Sequence, residues 1–75
     1  MGEDPEPLYD PALMRLMSEA YEAADRQLGK SIKAAQVAMA LAIIRAINDG
    51  QRDRQKLIAA AVAAGRLEQV RGTQN

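Results

Sequence analysis

The segment Ile32–Asn48 constrains this chain more than any other part of it, because it is apolar on almost every side. It contains neither proline nor glycine and reads as a helix. At helical periodicity Ile32, Met39, Ile43 and Ile47 line up as one stripe. Val37, Leu41 and Ile44 form a second stripe about 120° away. Ala34, Ala35, Ala38, Ala42 and Ala46 occupy much of the remainder, and the polar residues Lys33, Gln36, Arg45 and Asn48 do not share a face. A helix with this pattern has to be buried. Whatever surrounds it must supply cover in more than one direction.

The flanking segments are built as covers. Asp10-Pro11 is a helix start: the aspartate accepts from orphan backbone N–H groups and proline suits the first helical position. From there Leu13, Leu16, Met17, Ala20, Tyr21, Ala24 and Leu28 gather on one face. Arg15, Ser18, Glu19, Glu22, Asp25 and Arg26 gather on the other, with Glu22 and Arg26 at i,i+4 spacing. Tyr9 and Met14 are placed as a hydrophobic staple. Gly29 closes the helix and Ser31 is positioned to cap the next one. After Asp49-Gly50, Asp53 caps a third helix that runs from Arg54 to about Ala64 and stops at Gly65. Leu67 and Val70 belong to a further short turn, and the end frays after Gly72.

These signals predict an all-α fold: a three-helix array (about 11–28, 32–48 and 54–64) with helix 2 at the centre. The domain organisation is an acidic flexible arm at 1–9, one helical domain over 10–70 and a frayed tail at 71–75. Short links make successive helices antiparallel neighbours. Two companions cover only part of helix 2, and closed two-fold pairs are the commonest homo-oligomers. The predicted assembly is therefore a dimeric helical bundle, with Leu13, Met17, Tyr21, Leu28, Val37, Leu41 and Ile44 as the self-association residues. The alternative is a compact monomer in which helix 1 and the C-terminal segment act as the two covers.

Composition excludes several kinds of chemistry. The 75 residues include no cysteine and no histidine. Disulfides, thiolate metal sites and thiol nucleophiles are thereby ruled out, as is the commonest general base. A cysteine-free chain of this size depends on efficient helix packing or on a partner. Glu19 and Glu22 are three residues apart, but two exposed carboxylates make a poor cation site. Ser18 and Ser31 lack a histidine, and the glycines are scattered rather than grouped into a phosphate-binding loop. The prediction is a protein without catalytic residues, cofactor or metal. Met14, Met17 and Met39 at helical spacing read as core before they read as an adaptable peptide groove. The longest near-apolar run, Ala34–Ile44, is shorter than the roughly 20 residues that span a bilayer. The acidic, proline-containing start does not read as a signal peptide. The expected location is the cytoplasm, with no membrane association.

Charge is balanced in total, ten bases against ten acids, but not along the chain. Residues 1–29 carry seven acids and two bases, a net of −5, and residues 30–75 carry eight bases and three acids, a net of +5. The densest basic run is Arg52, Arg54 and Lys56 at the start of helix 3, where a helix-turn-helix would present side chains to DNA. Those three residues define the alternative function, a small DNA-associated regulatory protein. Overall neutrality and the lack of aromatic residues beside the run weigh against it. The leading function is a non-enzymatic helical protein–protein interaction or oligomerisation module, acting as a homodimer or with another protein.

The stretch from Leu41 to Asp53 (LAIIRAINDGQRD), followed by Leu57 and Ala60-Ala61, resembles a pattern in small helical proteins of alpha-proteobacteria. In that pattern an Ala/Ile helix, a Gly-x-Arg-Asp turn and a Leu/Ala helix follow a longer amphipathic helix, here over residues 12–64. The resemblance implies a bacterial, cytoplasmic, helical protein and carries no active-site residues with it.

Overall fold

A computed structural model describes residues 11–73. Three helices follow one another: α1 (Pro11–Leu28), α2 (Lys33–Asn48) and α3 (Arg54–Thr73). The expected arm, the Asp10 cap and the staple from Tyr9 lie outside the described residues.

Both interhelical links are closed by glycine in the left-handed region. Gly29 has φ 80° and its N–H donates to Asp25 O at 3.0 Å. Gly50 has φ 94°; its N–H donates to Ile47 O at 3.0 Å, and Gln51 N–H reaches back to Ala46 O at 2.9 Å. That crossed pair satisfies the last carbonyls of α2, as a helix ending in glycine usually does. Asp53 caps α3 as expected, its Oδ1 accepting from Gln55 N–H at 2.9 Å.

The start of α2 is arranged differently from the sequence expectation. The cap residue is Ile32, which has no side-chain acceptor to offer. Ser31 turns away, its hydroxyl donating to Asp25 Oδ1 at 2.7 Å. Gln69 of α3 holds the link instead: its Oε1 accepts from the cap residue's own Ile32 N–H at 2.9 Å, while its Nε2 donates to Lys30 O at 3.0 Å. One amide side chain thus holds the α1–α2 link from a distance of 37 residues in sequence.

Helix α3 also departs from expectation, and its glycine explains why. Gly65 does not stop the helix, which runs on through Leu67, Val70 and Arg71 to Thr73. Its backbone is not left-handed. A Cβ built at Gly65 would lie 2.5 Å from Leu28 Cδ1 and 2.9 Å from Met39 Cγ. Glycine is present here so that α3 can press against α1 and α2 together, not to break the helix.

The core contains Ala20 and Ala24 of α1, Met39, Ile43 and Ile47 of α2, and Leu57, Ile58, Ala61 and Val62 of α3. Met39 and Leu57 are fully enclosed. The central element is α3, not α2: it packs along both companions, whereas α1 and α2 touch each other least. Small residues on its inner face, Ala61 and Gly65, admit both neighbours closely. Between α1 and α2 the larger Met14, Met17 and Tyr21 stand across from Ala40, and a groove remains.

Candidate functional site

Large apolar side chains are exposed in two regions of the described surface: Leu67 and Val70 near the end of α3, at 58% and 56%, and one side of α2 with Met14 of α1. Along α2 the inward stripe, Met39, Ile43 and Ile47, is buried against α3. The second stripe points the other way: Val37 is 53% exposed and Leu41 50% exposed, with Ile44 half-buried beside them. Ile32, the cap residue, is 43% exposed, its side chain lying beside Gly72 near the end of α3.

Next to this stripe lies the α1–α2 groove, with a volume of about 210 Å³, lined by Met14, Met17, Ser18, Tyr21, Ala40, Ile43 and Ile44. Its walls are almost wholly carbon, with Ser18 and the Tyr21 hydroxyl as the polar elements. Ile44 belongs to both the groove and the stripe, so the two make one continuous apolar face spanning α1 and α2. Thioether side chains on one wall allow such a surface to adjust to what it contacts.

The seven residues expected to mediate self-association divide into two groups. Val37, Leu41 and Ile44 lie on this face, joined by Met17 and Tyr21 in the groove. All four of the α1 residues pack against the chain's own core, and Leu28 lies directly over Gly65, but Leu13 and Leu28 do not line the groove. Their place at the surface is taken by Met14, which is 51% exposed. Met14 stands three residues before Met17 and seven before Tyr21, a spacing that already put it on their side of α1. Met39 is core, while Met14 and Met17 line the groove.

Two of the three basic residues at the start of α3, Arg52 and Arg54, make contacts within the fold. Arg52 Nη1 donates to Ile47 O at 2.9 Å and to Gln51 O at 3.0 Å, closing the C-terminal turn of α2. Gln51 Oε1 accepts from the N–H groups of Arg52 and Asp53 at 3.1 and 2.9 Å, which fixes the turn. Arg54 Nε lies 3.9 Å from Glu19 Oε1, both side chains being half exposed. Glu19, rather than Glu22, is therefore the carboxylate of α1 that meets a cation. Lys56 is exposed on the first turn of α3. Arg52 and Arg54 are thus engaged by different parts of the fold.

Among the described residues there is no buried polar or charged side chain, and no group of three acidic residues is placed to hold a metal ion. Nor is any described helix long and apolar enough to cross a membrane. The sequence matches no protein-family profile, and neither a curated protein nor a solved structure shows significant similarity to it.

Proposed function

We propose that the protein is a non-enzymatic helical association module whose working surface is the continuous apolar face of α1 and α2, and that its partner is a second copy of the same chain. The observation that carries this reading is the half exposure of Val37 and Leu41 in the middle of a helix whose other side is fully packed. Scattered apolar residues are ordinary on a protein surface, but a contiguous face joined to a groove characterises a contact site. The thin core, in which Ala20, Ala24, Ala35 and Ala61 supply many of the buried positions, points the same way. A domain with this little internal burial gains much from covering its outer face.

Sedimentation equilibrium in the micromolar range tests the reading. The wild-type chain is expected at twice the single-chain mass. Leu41→Asp is expected at the single-chain mass with unchanged helicity, because the substituted side chain faces water in each protomer. Burying the exposed half of Leu41 is worth about 1 kcal/mol per protomer, and a carboxylate trapped there costs more than that gain. A wild-type mass of one chain at every concentration, or a dimer indifferent to Leu41→Asp, overturns it.

A further inference from the structure

We infer that the two copies associate with their α2 helices antiparallel, in the register that sets Ala34 against Ile44 of the other copy and Val37 against Leu41. This inference rests on the proposed self-association and specifies its geometry.

The argument begins with spacing. Short of the exposed Asn48, the outward apolar residues of α2 are Ala34, Val37, Leu41 and Ile44, separated by three, four and three positions. That sequence of steps is the same from either end, so the stripe is complementary to its own reverse. Residues spaced in this way follow the seam along which two helices interlock side chains. The flanking Ala38 and Ala40 are small, which allows the axes to approach at the short end of the usual range of about 8–10 Å.

Three considerations choose the antiparallel arrangement. Run antiparallel, each layer mates a smaller residue with a larger one, Ala34 with Ile44 and Val37 with Leu41, which fills space evenly. Run parallel and in register, Ala34 meets Ala34 and leaves a gap, while Ile44 meets Ile44 and crowds. Leucine at one seam position with β-branched valine and isoleucine at the other also steers parallel helices towards more than two strands.

Charge gives the third consideration. Lys30 and Lys33 lie at the N-terminal end of α2, and Asp49 with the C-terminal carbonyls lies at the other. Parallel pairing stacks lysines on lysines, whereas antiparallel pairing separates them and sets each pair towards the partner's Asp49, at an end whose last carbonyls are already bonded and where Arg52 also stands. Arg45 lies about 120° around the helix from Lys33 and so falls on the opposite flank. Sliding the antiparallel register by one repeat would press Asn48 onto Val37, which favours the register that keeps the seam apolar.

Cysteine cross-linking reads this geometry, because the native chain has no cysteine to interfere. Ala34→Cys and Ile44→Cys are made separately, differing in mass by a tag, and oxidised alone and after mixing. In the inferred register residue 34 lies beside residue 44 of the partner, while the two copies of residue 34 are about 15 Å apart along the axis, too far for a disulfide. Linked dimer is therefore expected in the mixture and not in either variant alone. Linked dimer in each variant alone, with none between them, means a parallel pair and overturns the inference. So does a full dimer mass by sedimentation with no cross-link in any mixture. A single-chain mass for both variants and for wild type, with helicity intact by circular dichroism, overturns the underlying self-association instead.

Discussion

One methyl group at Gly65 tests the central packing of the fold. In the interior of a free helix alanine is favoured over glycine by about 0.8–1 kcal/mol. An unobstructed Gly65→Ala would therefore stabilise the protein. Here the new Cβ would stand 2.5 Å from Leu28 Cδ1 and 2.9 Å from Met39 Cγ, both too close for carbon atoms. Met39 is fully enclosed and has nowhere to turn, while Leu28 is half-buried and yields by lifting the end of α1 away from α3. Overpacking of this kind costs about 1–3 kcal/mol. The propensity gain offsets part of that cost, leaving a net loss near 1 kcal/mol. For a domain of this size such a loss lowers the melting temperature by about 4–8 °C. Urea unfolding followed by far-UV circular dichroism, at one fixed protein concentration, measures it. A left-handed helix stop at Gly65 would also make alanine costly, so the single substitution does not decide the cause. The cycle with Leu28→Ala does: the truncated leucine removes the shorter of the two contacts, and the two changes should couple favourably by at least about 0.5 kcal/mol. Strict additivity, or a Gly65→Ala protein stabilised by the full helix preference, would refute the close approach of α3 to its two neighbours.

Other expectations follow from the same contacts. Gly72→Ala should be neutral or stabilising by about 0.5 kcal/mol, because the atom its Cβ meets is the end of the half-exposed Ile32 side chain, at 2.7 Å, which can rotate into water. Gln69→Ala removes both hydrogen bonds to the α1–α2 link and should cost about 1–2 kcal/mol in urea unfolding, with the Ile32 amide exchanging faster than the rest of α2; protection unchanged at Ile32 would show that the bracket is dispensable. Asp53→Ala should lower stability by about 1 kcal/mol and Asp53→Asn by much less, since asparagine keeps the acceptor for Gln55 N–H. Arg52→Ala should lower stability by about 1 kcal/mol through the loss of its bonds to Ile47 O and Gln51 O; a variant as stable as wild type would free that guanidinium for an external role. Glu19→Gln, in contrast, should change stability by less than about 0.5 kcal/mol, as expected of a half-exposed ion pair.

Much of the local structure was legible from residue order. The bounds of α1, the glycine ends at Gly29 and Gly50, the cap at Asp53 and the inward stripe Met39, Ile43 and Ile47 all follow from patterns within a few residues of one another. The exposed stripe Val37, Leu41 and Ile44 was legible too, because a helix apolar on both sides must show one of them unless it is surrounded. What was misread depends on contacts between distant residues. Ser31 has the chemistry of a cap, yet its hydroxyl goes to Asp25 and Gln69 holds the link from 37 positions away. Leu13 and Leu28 share a face with Met17 and Tyr21, and all four pack against the core; that only Met17 and Tyr21 also line the groove is a division periodicity does not make.

Residue order by itself determined that this chain would form three helices, where two of them begin and end, and that α2 would carry more apolar surface than a single cover removes; spacing and capping chemistry act within one or two turns and need no partner. Tertiary structure alone decided that α3 lies at the centre and that Gly65 continues a helix. A glycine in a helical pattern is compatible with a stop or with a close crossing, and only the atoms of Leu28 and Met39 pressing on it distinguish the two. With α3 between its neighbours, α1 and α2 stand apart, and the groove that extends the exposed stripe into a continuous face exists for that reason.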